Sequence, residues 1–292
     1  MPEAPTFDLQ SHSTHSDGHL PAAEVVALAA AAGVELLALS DHDTVDGVDE
    51  ALAAAREHGI RVVPTSELSS IDGEYDDLHV LGYGIDHHDP VLLARLEEFR
   101  ADRNARAGRM TTALRELGFE VDEDVLAKRR AAGKPIGRPH LAQAVISHPA
   151  NTQRLREEGR DDVSPFIEAY LIPGRPGFRG RTMPTVEEAI GVIHDAGGIA
   201  VWAHPFWDLD SDAEVLGAIE RFVGFGLDGV EAFYVTHTEA QTQLVADECA
   251  RRGLLATGSS DFHGPEHRLF SRFRAFQLFD REPNLGPIGS GA

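Results

Sequence analysis

Cysteine is almost missing from this 292-residue chain: Cys249 stands alone. One thiol excludes an internal disulfide and any zinc site built on several thiolates, so a metal here would have to be held by imidazole and carboxylate. Long apolar runs are missing as well. The alanine-rich stretch Ala22–Ala32 is interrupted by Glu24 and too short to span a bilayer. Met1–Gln10 has neither a basic start nor an apolar run, so no secretory signal is expected there. The expectations are no membrane partner and a cytoplasmic location. Cations are scarce beside anions, 26 Lys and Arg against 48 Asp and Glu, for a formal charge of −22. Such a chain repels polyanions, and a broad surface for long nucleic acid is not expected. It accommodates bound cations, through which a small phosphate ester can be held.

What is present is enough apolar residue, 42%, for a substantial core. The first part alternates strand and helix patterns. Thr6–His12, Val34–Ser40, Ile60–Thr65 and Leu78–Tyr83 read as strands, and Pro21–Ala32 and Val45–His58 as helices that stop at Gly33 and Gly59. From Pro90 to about Leu171 the pattern is helical with almost no strand signal: Val91–Leu117, Pro139–His148 and Ser164–Leu171. Ile172–Pro184, with its repeated Gly, Pro and Arg, reads as a linker or ordered loop. Alternation then resumes through helices 186–196, 213–225 and 239–252 and strands 199–203, 230–234 and 254–257. This predicts an α/β barrel with a parallel sheet, formed by residues 1–89 and 185–292, interrupted by an inserted helical subdomain over residues 90–184.

Polar residues of metal-binding type gather at strand ends. His12 ends the first strand, Asp41-His42-Asp43 follows the second, Glu67 the third, His204 the strand 199–203, and Asp261 and His263 the last. In parallel α/β architectures the C-terminal strand ends form the active-site face, so these distant residues are expected to converge. His79 fits less well, because it lies at the start of its strand. Each residue also has a plainer reading. Asp41 and Asp43 suit N-caps for the helix Val45–His58, and for Asp43 that is the stronger reading. Asp17 suits a turn with Gly18 as well as a ligand role, and Glu67 a surface position. His79 alone reads as a packed strand residue. His19, His58, His87, His88, His148, His194, His237 and His267 read as ordinary surface or core histidines, and Trp207 as a packed aromatic before a base-stacking one.

Taken together, the segments Asp8 to Gly18, Ser40-Asp41-His42-Asp43-Thr44, Thr65-Ser66-Glu67, Ala203-His204-Pro205 and Gly258-Ser259-Ser260-Asp261-Phe262-His263-Gly264 resemble the PHP family of phosphoesterases. With Gly137-Arg138-Pro139-His140 in the insertion, the chain is similar to the subgroup of bacterial nucleotide phosphatases that includes 3′,5′-bisphosphate nucleotidases and a 5′-to-3′ exoribonuclease. The resemblance implies a distorted (β/α)7 TIM-like barrel and two to three divalent metals (Mn, Zn or Fe). By position, Gln10, His12, Glu67 and Asp261 would surround one metal; Glu67 would bridge to a second with His79 and His204; Asp17, His42 and His263 would hold a third. A hydroxide activated between cations would attack phosphorus without a protein nucleophile, and the general acid stays open. The expected substrate is the phosphomonoester of a small nucleotide, 5′-AMP or a 3′,5′-bisphosphate. The alternatives are exonuclease action on short RNA, a histidinol-phosphate-type phosphatase, or a non-catalytic metal-binding module.

Gln10 departs from the family pattern, which has His there. A neutral carboxamide binds these metals more weakly than imidazole, so the ligand at position 10 is expected to be weak or lost, with His15 as a candidate substitute. Arg138 and His140 flank a Pro at a predicted helix start, where anions are favoured, and are expected to bind the substrate phosphate. Arg100, Arg103, Arg179 and Arg181 are weaker candidates.

Overall fold

The structure, a computed structural model, describes residues 5–73, 75–131, 134 and 136–290; the first four residues of the segment read for a secretory signal lie outside it. The chain divides into two compact units, residues 1–97 with 184–292, and residues 98–183.

The first unit is built on one seven-stranded sheet whose strands follow chain order: β1 (Phe7–Asp8), β2 (Leu36–Leu39), β3 (Arg61–Asp72), β4 (Tyr75–Tyr83), β5 (Ile199–Trp202), β6 (Gly229–Tyr234) and β7 (Leu255–Ser259). Beyond β7 the sheet returns to its start. Leu9 N–H donates to Gly258 O at 3.2 Å and His12 N–H to Phe262 O at 2.8 Å, which makes a nearly closed barrel. Helices α1 (Ala22–Ala31) and α2 (Val48–His58) connect the first three strands. Their buried Val25, Val26, Ala29, Ala51, Ala54 and Ala55 belong to one core cluster with Leu37, Leu39 and Val62 of the sheet. Four buried residues, Leu36 to Leu39, make β2 an apolar run with no exposed face, as a strand covered on both sides requires.

Two strand expectations change. The sheet is not wholly parallel: β3 pairs antiparallel with β4, and β4 antiparallel with β5. The cause is local. Asp72 pairs with Tyr75 across a two-residue link, and so short a link permits only a hairpin. Gly73, the first residue of that link, has φ +60°, the sign that the favoured two-residue hairpin turns require at that position. With that hairpin, β3 runs on to Asp72 instead of stopping at Thr65. The first strand is also shorter than Thr6–His12. It ends at Asp8, which pairs with Leu37 and whose carboxylate accepts Ser260 N–H and Arg274 N–H, both at 2.8 Å.

The second unit is helical among its described residues. Helix α3 (Pro90–Glu116) runs into it and is followed by α4 (Glu123–Ala131), α5 (Arg138–Ile146), α6 (Thr152–Glu158) and α7 (Val163–Tyr170). It has its own core, around Met110, Leu114, Phe119, Leu141, Val145 and Phe166. The Arg154 guanidinium lies 3.8 Å from the centre of the Phe119 ring. Helices α4 and α6 were not expected from the sequence. Both are short and charged and lack a clear apolar stripe.

The chain then returns to the sheet through α8 (Val186–Asp195), the turn α9 (Pro205–Asp208), α10 (Asp212–Gly224) and α11 (Glu239–Arg252). Three of these open on reciprocal caps, Thr185 with Glu188, Ser211 with Glu214 and Thr238 with Gln241. Such caps satisfy N–H groups a helix start would otherwise leave open, so the start points are written into the sequence.

Candidate metal centre

Glu67, on β3, is completely buried, and its two carboxylate oxygens face different sets of nitrogens. Oε2 lies 3.0 Å from His12 Nε2, 2.9 Å from Gln10 Nε2 and 3.6 Å from His42 Nδ1. Oε1 lies 2.7 Å from His79 Nδ1 and 3.2 Å from His204 Nε2. Backbone pairing sets these positions. His42 bridges to Glu67 across from β2, and Asp43 N–H donates to Glu67 O at 2.9 Å. Ser69 pairs with His79, and Ala203 N–H donates to His79 O at 3.0 Å, which brings His204 alongside.

The antiparallel direction of β4 resolves the anomaly at His79. A reversed strand presents its N-terminal half to the face where its parallel neighbours present their C-terminal ends. His79 therefore joins the cluster for the same topological reason that it looked misplaced.

A second set lies beside the first. Asp17 Oδ1 is 3.7 Å from His12 Nδ1 and 3.6 Å from His263 Nε2, while Oδ2 is 3.7 Å from His42 Nε2. Asp261 Oδ1 is 3.1 Å from His12 Nε2, and Oδ2 accepts the buried Tyr234 hydroxyl at 2.8 Å. His263 Nδ1 donates to Asp261 O at 2.7 Å, and its Nε2 faces Asp17. All eight charged or imidazole residues expected at the site thus converge. Gln10 is with them, with its amide nitrogen toward Glu67. His15 does not join them; it lies 3.8 Å from Glu50.

These residues fit divalent cations. His12 Nε2 and Asp261 Oδ1 are buried and within 3.1 Å of each other, yet neither has a hydrogen-bond partner. Among the described residues two groups at this centre could each hold an ion, His12, Asp17, His42 and His263, and His42, Glu67 and His79; a third such group, Asp49, His87 and His88, shares no residue with them. Imidazole and carboxylate donors suit Zn, Mn or Fe.

Electrostatics agree with this donor set. Burial opposes ionisation of Glu67, but His42 and His79 outweigh it and hold its pKa well below the usual carboxylate range. Burial likewise opposes protonation of His12, and Asp261 and Glu67 outweigh it, keeping the His12 pKa well above its usual value. His204 is raised to about 9, its burial overcome by Glu67. Without metal His12 and His204 are thus biased toward their protonated forms beside these carboxylates, and a cation bound there would compete with those protons.

The supporting residues differ from expectation. Neither Asp41 nor Asp43 caps α2, whose N-cap is Gly47. Asp41 instead accepts Ser13 N–H at 2.8 Å, Ser13 Oγ at 2.6 Å, Ser16 N–H at 3.2 Å and Ser16 Oγ at 2.6 Å. It pins the loop that carries Asp17. Asp43 accepts Ser69 N–H at 2.9 Å and has φ +54°. Four residues separate it from the first helical residue, too far for a cap. His204 and Asp261 also have positive φ, +29° and +51°, rare for residues with a Cβ and concentrated where surrounding structure enforces them.

Sequence reasoning missed Glu231. It is buried within β6; its Oε2 accepts His204 N–H at 2.9 Å and its Oε1 accepts Ser259 Oγ at 2.5 Å. Burial pushes its pKa up to about 8. The signal was a single carboxylate in an otherwise apolar strand, Val230-Glu231-Ala232-Phe233. Trp207 also departs from the packed reading: it is 47% exposed.

Arg138 and His140 stand at the start of α5 in the second unit, where His140 Nδ1 accepts Gly137 N–H at 3.0 Å. Arg179 donates to Phe178 O at 2.6 Å and Pro176 O at 3.1 Å, and Arg181 lies 3.8 Å from Asp102. Among the described residues no helix is long and apolar enough to cross a membrane.

The comparisons with known proteins point one way. The PHP domain model matches residues 8–119. The 3′,5′-nucleoside bisphosphate phosphatase of Chromobacterium violaceum is 34% identical over 89% of this chain and 87% of its own length. The 5′-3′ exoribonuclease of Haemophilus influenzae is 34% identical over 89% of this chain and 90% of its own. The structure of an amidohydrolase from C. violaceum, with bound sulfate and no metal, superposes with a TM-score of 0.80 at 32% identity, covering 92% of this chain and 91% of the other. With this fold, this convergence of imidazoles and carboxylates and these relatives, the chain belongs to the PHP family of metal-dependent phosphoesterases and is a hydrolase.

Proposed function

We propose that the protein hydrolyses the phosphomonoester of a small nucleotide, of the 5′-AMP or 3′,5′-bisphosphate type, with two to three divalent cations held by His12, Asp17, His42, Glu67, His79, His204, Asp261 and His263. The observation that carries this is the division of Glu67, one oxygen toward His12 and His42 and the other toward His79 and His204. A carboxylate shared in this way suits a bridge between two cations. Bound divalent ions supply Lewis acidity to phosphoryl oxygens and lower the pKa of water.

The protein's own part is to hold and orient. Asp41 fixes the Ser13–Ser16 turn and with it Asp17, while Glu231 fixes the backbone of His204. No side chain is poised as a covalent nucleophile among the groups described around the centre. Ser13 and Ser16 donate to Asp41, and Ser259 donates to Glu231. The lone Cys249 is buried, which pushes its thiol pKa up to about 12. Arg138 and His140 are assigned to the substrate phosphate, through the anion-binding chemistry of Arg at a helix start.

The formal charge of −22 favours a mononucleotide over a long polyanion. Exonuclease action on short RNA is the second reading, favoured by the name of the H. influenzae relative. A Mn²⁺-supplemented assay of 5′-AMP, a 3′,5′-bisphosphate nucleotide, short 5′-phosphorylated RNA and histidinol phosphate separates these. Phosphate release from the mononucleotides is expected. Turnover of RNA alone would select the second reading, and turnover of histidinol phosphate alone would reject both.

A further inference from the structure

We propose that Trp207 is the platform on which the aromatic base of the substrate stacks, an inference that rests on the nucleotide reading above. The chain has two tryptophans. Trp202 is 1% exposed, whereas Trp207 is 47% exposed. Among the described residues the large exposed hydrophobics are Leu28, Val91, Leu93, Trp207 and Leu269, and Trp207 is the one aromatic side chain in that set. Scattered exposed leucines and valines are ordinary, but a half-open indole leaves a large apolar face in water.

Its position gives that face a use. Trp207 lies three residues after His204, in the turn α9, and its backbone N–H donates to His204 O at 2.8 Å. Two aromatic rings contact the indole. Tyr234 is 6.4 Å away and nearly perpendicular; Phe270 is 5.6 Å away and tilted by 58°. Each of these is itself attached to the metal centre. The Tyr234 ring is 5.2 Å from His204 and its hydroxyl donates to Asp261; the Phe270 ring is 5.5 Å from His263. Trp207 is therefore one ring removed from the cluster, through Tyr234 and through Phe270. Neither contact is a parallel stack, so neither occupies the indole as a face-to-face partner would.

A ligand whose phosphate is held by the centre and which carries a flat aromatic group within a few bonds can satisfy both. A nucleotide does so, and a sugar phosphate without a base does not. Because every base has a π-face, such a platform discriminates nucleotide from non-nucleotide more than one base from another.

The test compares adenosine 5′-monophosphate with ribose 5-phosphate as substrates of the metal-loaded wild type, W207A and W207F. Base–aromatic stacking predicts that the preference for the nucleotide, read as the ratio of the two kcat/KM values, falls about tenfold to a hundredfold in W207A. The loss should lie in KM, and W207F should keep most of the preference. Tryptophan emission supplies a readout free of turnover: with Trp202 buried, adenosine 5′-phosphorothioate, a slowly hydrolysed analogue, should quench the wild type and not W207F. A preference unchanged in W207A, or no quenching at analogue concentrations that inhibit the enzyme, overturns the platform. A wild type that turns over ribose 5-phosphate but no nucleotide instead rejects the nucleotide reading, and the platform with it.

Discussion

The side-chain amide of Gln10 donates to Glu67 Oε2 at 2.9 Å, while its oxygen lies 3.3 Å from the Ser259 hydroxyl. The atom turned toward the shared carboxylate is the one without a lone pair to offer a metal. Gln10 thus orients Glu67 where the family pattern would place an imidazole ligand. We expect two tightly held cations per chain in the wild type and a third, tighter equivalent in Q10H, measured by elemental analysis after gel filtration without chelator. Three tight equivalents in the wild type would contradict this.

Metal binding should release protons. In the metal-free centre His204 has a pKa of about 9, with burial opposing the charge and Glu67 prevailing. A cation bound there must displace that proton, so affinity should rise with pH from about 6.5 to about 9. Calorimetric titration of Mn²⁺ in buffers of different ionisation enthalpy reads the proton number directly. A pH-independent affinity would argue against imidazole ligation.

The same groups set how metal-free stability depends on pH. A histidine raised in the folded state stabilises fully below its unfolded value of about 6.5 and loses that contribution as pH rises through its folded value. Glu231 acts in the same direction, because a buried carboxylate raised to about 8 is disfavoured once it ionises. The Tm of chelator-treated protein should therefore fall from about pH 4.5, where Glu231 begins to act, to about pH 9, most steeply between about 6.5 and 8 where both groups act, and the gap to the metal-loaded protein should widen.

Glu231 should matter without touching the substrate. It accepts the N–H of His204, whose φ of +29° needs external support. E231A leaves that donor buried and unpaired, a cost of about 1–3 kcal/mol. Denaturant unfolding should register that loss. Metal content at the His79–His204 side should drop, and activity at saturating Mn²⁺ should recover only in part. E231Q, which keeps an acceptor, should be milder on all three.

Arg138 tests the substrate assignment in the helical unit. R138A should raise the KM for the nucleotide about tenfold or more, as loss of a charge-assisted phosphate contact requires, with metal content intact. Kinetics identical to the wild type would remove Arg138 from the site.

Much of this was legible in one dimension. Helix starts such as Thr185 with Glu188 are local chemistry, and so are the apolar run of β2 and the stops at Gly33 and Gly59. The clustering of His12, His42, Glu67, His204, Asp261 and His263 followed from strand periodicity and the rule that parallel strands share one functional end. Other features were hidden because they depend on partners remote in sequence. Asp41 looked like a helix cap because nothing nearby revealed that its oxygens reach back to Ser13 and Ser16. Glu231 looked like one polar residue in a strand because its partners, His204 and Ser259, come from the two neighbouring strands' ends.

By itself, then, the sequence determined which residue types were available for chemistry: imidazoles and carboxylates with a single cysteine, on strands whose ends they mark. Tertiary structure decided their relations. The two-residue link after Asp72 reverses β4 and turns His79 from an outlier into a partner of Glu67. Closure of the sheet brings Asp261 to His12. The packing around Tyr234 and Phe270 leaves the indole of Trp207 open to water. Distances between side chains from different strands depend on register and strand direction, and those are properties of the assembled sheet.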